Sequence, residues 1–194
     1  MMYNDLKYEK ECMPLADKFY KSQFEIYGIK RWGMSKDERH MQLNDIDVTI
    51  TVENHSNGIH PKHINISEKF RRDDWGDMLM ELFTINKHGI KESWALTTKS
   101  EYIVYFTPAN TYVVDSQDLK DFAQSIKDDV KKEIPTFIKE KRNSKDINIK
   151  NFETKLIKSQ TNIGDSNWEN ISIAIDWRTL EKNGVEIYKY KFAL

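Results

Sequence analysis

The chain has 194 residues, enough for one substantial domain, and its 39% hydrophobic and 12% aromatic content calls for a packed core rather than a disordered polymer. A single cysteine, Cys12, excludes an internal disulfide framework and a multi-cysteine zinc site. A net charge of -1, from 30 Lys and Arg against 31 Asp and Glu, excludes nucleic-acid binding by bulk charge and leaves room for a local basic groove.

No apolar run nears the roughly 18 residues that a bilayer span needs, so no membrane partner is expected. Residues 1–13 are charged and carry no apolar stretch, which predicts no signal peptide and a cytoplasmic location. The spacing of Leu15, Phe19, Tyr20, Phe24 and Tyr27 predicts a helix over 13–27, stopped by Gly28. The polar residues 28–45 read as loop or irregular structure. Ile46 to Val52 alternates apolar and polar residues, with Val48, Ile50 and Val52 on one face and Asp47, Thr49 and Thr51 on the other, as in a strand. After a turn at Asn57-Gly58 a second alternating strand runs 63–70. Residues 77–83 fit a strand or a short helix.

Strands are predicted at 101–106 and 111–114. A helix capped by Asp115-Ser116 follows, with Leu119, Phe122, Ala123, Ile126 and Val130 on one face and Pro135 kinking or ending it. Residues 139–150 read as a charged linker. Strand-like runs return at 171–175 and 187–192. Helix, several strands and helix again predict an α/β or α+β domain with a mixed central sheet.

One constellation stands above this background. Asp47 sits on one strand, and Ser67-Glu68-Lys69 sits about twenty residues on, on its expected neighbour. Neighbouring strands lie about 4.8 Å apart, so two carboxylates on them can share a magnesium ion, a hard cation that prefers oxygen ligands. Such an ion lowers the pKa of its bound water and neutralises developing charge, while a lysine ammonium can orient the water.

With Gln42 and the Ile46-Asp47-Val48 run before it, and Glu68-Lys69-Phe70-Arg71 and an apolar run ending at Glu81 after it, this pattern resembles the PD-(D/E)xK nuclease superfamily, in its phage and bacterial branch. The likeness covers roughly residues 13–130. It implies a restriction-endonuclease-like α/β fold, a nuclease core over 1–138 and a C-terminal extension over 139–194. It also implies an endonuclease that uses magnesium or manganese to hydrolyse phosphodiester bonds in DNA; RNA as the substrate and pairing into a homodimer, as in many members of the superfamily, stay open. Asp47 and Glu68 would hold the metal and Lys69 would assist the water.

The family places its second acid two residues before the lysine, and that position here is Ser67. Alternation sends Glu68 to the face of Ile64 and Ile66. Three outcomes stay open: a bulge or a salt bridge for Glu68, recruitment of Glu81 or Asp77 as the second ligand, or a degenerate site that binds nucleic acid or a protein partner without cutting. Gln42, Ser67 and Glu25 are auxiliary candidates, and Asp45 reads as a loop acid. Arg71, Arg72, Lys62 and Asn162 are candidate nucleic-acid contacts, supported by ten Lys or Arg against six Asp or Glu over 127–158. His55, His60 and His63 cluster without a His-Glu-x-x-His arrangement and read as surface residues rather than a zinc site.

Overall fold

In the computed structural model, which describes residues 2–33, 35, 38–54, 60–163 and 166–192, the first helix is longer than its apolar stripe. α1 runs Met2–Gln23 and passes through Pro14 without ending. It stops before the expected limit at residue 27, because Tyr27 and Gly28 belong to a strand, β1 (Ile26–Arg31). Gly28 marks a register irregularity between β1 and the next strand rather than a helix stop. Ile26 and Ile29 pack on the core, and the polar look of residues 28–45 conceals the second of them.

The chain continues through α2 (Arg39–Leu43), β2 (Val48–Asn54), β3 (His60–Phe70), β4 (Asp77–Asn86), β5 (Gly89–Glu92) and α3 (Trp94–Thr97). There follow β6 (Tyr102–Phe106), β7 (Thr111–Asp115), α4 (Ser116–Lys139), β8 (Ser144–Ile149), β9 (Phe152–Ile163), β10 (Ser166–Asp176), α5 (Trp177–Lys182) and β11 (Ile187–Tyr190). Among the described residues these make two sheets and five helices, a mixed α/β chain. No helix among them is long and apolar enough to cross a membrane.

Contacts divide the chain into two compact units, neither continuous in sequence. One comprises Met1–Asp74, Thr98–Ser116 and Ile187–Leu194, the other Trp75–Thr97 and Gln117–Glu186. This differs from the expected boundary at residue 138. Residues 139–186 are not an appendage, because β8, β9 and β10 complete an antiparallel sheet, ordered β5-β4-β10-β9-β8, with strands that precede α4. The stretch expected as a linker holds β8, where Ile147 and Ile149 are buried while Asp146 and Asn148 are exposed. In this unit α4 buries Leu119, Phe122, Ala123, Ile126 and Val130 as their spacing predicts, and continues past Pro135 to Lys139. Phe122 meets Phe152 of β9 with ring centroids 6.0 Å apart.

The other unit carries the sheet β1-β2-β3-β6-β7-β11. Its neighbours are antiparallel except β3 and β6, which run parallel, so the sheet is mixed. Val48, Ile50, Ile66, Val104, Phe106 and Val113 on one face pack against Ala16, Phe19 and Tyr20 of α1. Phe19 is fully buried, with Tyr20, Phe24, Phe106, Tyr190 and Phe192 around it at centroid distances of 5.3 to 5.9 Å. Burying a side chain of this size stabilises the fold by about 1.5–3 kcal/mol.

Candidate functional site

Asp47 is held at the mouth of β2 by its own backbone. Its N–H donates to the Ile66 carbonyl (2.9 Å), and its carbonyl accepts from Trp32 N–H (2.9 Å). The turn that delivers it closes α2. Asp45 takes a left-handed backbone (φ 55°), a conformation that Asp tolerates better than most residues. The Ile46 N–H then returns to the Met41 carbonyl (3.0 Å).

In the β2–β3 ladder Val48 pairs with Ile66. One step outward, Ser67 comes beside Asp47 and its hydroxyl donates to Asp47 Oδ2 (3.3 Å). The Glu68 N–H donates to the same oxygen at 2.8 Å. Lys69, two residues along, puts its ammonium on Asp45 Oδ1 (2.7 Å). Burial pushes the Asp47 carboxyl above the usual carboxylate range; the Lys69 charge opposes this and the Asp45 charge adds to it. Asp45 Oδ2 is buried and lacks a hydrogen-bond partner among the described residues.

Glu68 is engaged elsewhere. No bulge re-aims it, since β3 keeps a continuous register with β6 from Ile66 to Phe70. Its carboxylate therefore lies on the α1 side, with Ile64 and Ile66. There the Tyr20 hydroxyl donates to Oε1 (2.9 Å), and Arg31 donates from Nη1 to Oε2 (2.5 Å) and from Nη2 to Oε1 (3.2 Å). Arg31 is tied in turn to α1, through Asp17 Oδ1 (2.7 and 3.1 Å) and the Met13 carbonyl (3.1 Å). Burial pushes the Glu68 carboxyl up, and Arg31 and Tyr20 pull it back. Burial works against the Arg31 charge, but Glu68 and Asp17 outweigh it and hold the guanidinium pKa above its ordinary value. Of the outcomes open at sequence level for Glu68, the structure adopts the salt bridge, because a carboxylate on an apolar face needs a cation beside it.

Asp47 and Glu68 nonetheless line one cleft of about 420 Å³ with Arg31, Trp32, Gln42 and Lys10. Gln42 donates from Nε2 to the Trp32 carbonyl (3.2 Å), which ties the cleft wall to the turn before Asp47. Glu25 is exposed just before β1, at the far end of that strand from Arg31. Glu81 belongs to the other unit, where it accepts from the Ser93 hydroxyl, and Asp77 opens β4 there. Among the described residues no group of three or more His, Cys, Asp or Glu side chains is placed to hold a metal ion.

Of the candidate nucleic-acid contacts, Arg71 and Arg72 follow the end of β3 and Lys62 lies near its start. Arg71 donates to the Tyr105 hydroxyl (3.3 Å), Arg72 lies 4.9 Å from the Tyr8 ring centroid, and Lys62 is near Glu101 (3.7 Å). The side chains of Asn162 and His60, and all of His55, lie outside the described residues. His63 shares a hydrogen bond with Thr51 (3.1 Å).

Sequence reading missed Arg31, Tyr20 and Asp17. The available signal was Glu68 itself, since an acid on the apolar face of a strand demands a cation from a neighbouring element. Comparison with known protein families, curated proteins and solved structures gave no match.

Proposed function

We propose that this chain is a metal-dependent nuclease acting on phosphodiester bonds in DNA, with Asp47 as its metal-anchoring acid. The observation that carries the reading is the placing of Asp47 at the opening of β2, beside Ser67 and next to the strand that bears Lys69. The mixed sheet with α1 on one face fits the restriction-endonuclease-like expectation.

The residues fit a magnesium ion. Such an ion needs only one or two protein carboxylates, its other positions going to waters and substrate phosphate. Asp47 commits Oδ2 to its two donors, and the buried Oδ2 of Asp45 has no partner among the described residues. Asp47 and Asp45 would hold the ion, which would supply acidity to a bound water and neutralise charge on the phosphate. Glu68, expected as the second ligand, is already neutralised by Arg31. Lys69 is held by Asp45 beside Asp47, where its ammonium stabilises an oxyanion or orients a water. Ser67 fixes the Asp47 carboxylate.

The test is incubation of plasmid, single-stranded DNA and RNA with magnesium or manganese, comparing wild type with Asp47→Ala and Lys69→Ala. Cutting by wild type alone supports the proposal; equal cutting by all three overturns it. A second reading, a nucleic-acid binder that does not cut, is favoured by Ser67 in the acid place. Retention of DNA at low salt without cleavage would establish that reading instead.

A further inference from the structure

We propose that the Arg31 guanidinium is a built-in cation that takes the place of a second divalent ion, so that the chain holds one such ion, at Asp47, and none at Glu68. This rests on the metal-dependent reading above. Arg31 grips both oxygens of Glu68 and is anchored behind by Asp17 and the Met13 carbonyl. The Glu68 side chain is only 2% exposed. An ion arriving there would have to expel a guanidinium that is tied to three acceptor residues. It would find both carboxylate oxygens already bonded to a guanidinium that keeps its charge at all working pH values, whereas Lys69 leaves Asp45 Oδ2 without a partner among the described residues.

Asp47 and Asp45 are placed differently. Lys69 bonds Asp45, while among the described residues Asp47 receives a hydroxyl and a backbone N–H. Arg31 also remains available to a substrate. It lines the cleft, its side chain is 23% exposed, and Nη1 carries a second N–H with no acceptor among the described residues. A guanidinium so placed can donate to a phosphate oxygen and supply positive charge that a second ion would otherwise bring.

The test is manganese titration of the full chain without DNA, followed by electron paramagnetic resonance of the free ion, with circular dichroism to verify folding. Wild type is expected to bind one ion. Asp47→Asn should lose affinity by more than the roughly 10- to 100-fold that loss of an outer-shell partner costs. Glu68→Gln should keep the wild-type affinity and stoichiometry. Arg31→Met should gain a second ion, and Arg31→Lys should not. Two ions in wild type, or lost affinity in Glu68→Gln, overturns the inference while leaving the metal reading standing. No ion in wild type overturns the metal reading and the inference together. Wild-type stoichiometry decides the matter where a variant fails to fold.

Discussion

Replacing Arg31 with Met keeps most of the side chain's apolar stem and deletes its charge. Among the described residues Glu68 has three side-chain donors and then loses two of them, while its side chain is 2% exposed in the wild type. Removing one partner of a buried ion pair costs about 3–5 kcal/mol, because the remaining charge is left without compensation. Asp17 is 34% exposed and regains water, so the penalty falls mainly on Glu68. Tyr20→Phe removes one hydrogen bond to the same carboxylate and should cost about 1.5–3 kcal/mol, the range for bonds to charged groups. Adding Glu68→Gln to Arg31→Met removes the orphaned charge and should recover part of the loss, with a coupling of about 0.5–3 kcal/mol. Urea unfolding at pH 7, read by tryptophan fluorescence, measures all of these. A loss under about 1 kcal/mol for Arg31→Met, or strict additivity in the double variant, would refute the claim that Glu68 depends on this guanidinium.

Three further outcomes are expected. The folded Asp47 carboxyl holds its proton to higher pH than the unfolded one, so its contribution favours folding at low pH and is lost as pH rises through the raised value. Asp47→Asn should therefore be more stable than wild type at pH 7 and lose that advantage below about pH 4, as urea midpoints at the two pH values will show; an advantage that grows on acidification contradicts this. Ser67→Asp puts a carboxylate in the fully buried acid place beside Asp47, so it should melt below wild type in chelator and gain more on adding manganese. An unchanged manganese response would count against Asp47 as the anchor. Phe19→Ala empties the centre of the aromatic cluster and should cost about 3–5 kcal/mol in thermal or urea unfolding.

What the sequence made legible follows from how local each signal is. Alternation in 46–52 and 63–70 marked β2 and β3, because each strand faces a core on one side. The apolar period of α4 survived intact for the same reason. β1 and β8 were hidden, since β1 only half-buries its two isoleucines and β8 buries just Ile147 and Ile149 among polar residues. The unit boundaries were not legible either, because the β4–β10 ladder joins segments about ninety residues apart.

At the site, the expected neighbouring of the two alternating strands is what sets Ser67 beside Asp47. The fate of Glu68 was not legible, because its partners Tyr20 and Arg31 are 48 and 37 residues away and meet it only through tertiary packing. Asp45, read as a plain loop acid, becomes relevant through its left-handed turn, which returns its carboxylate to Lys69.

Anomalous diffraction from a manganese-soaked crystal tests the central claim most directly. The account predicts one ion at coordination distance from an Asp47 oxygen, about 2.1 Å for a small hard cation, with Glu68 still gripped by Arg31. An ion seated on Glu68 with Arg31 displaced, or none at Asp47 with manganese in excess, would contradict it.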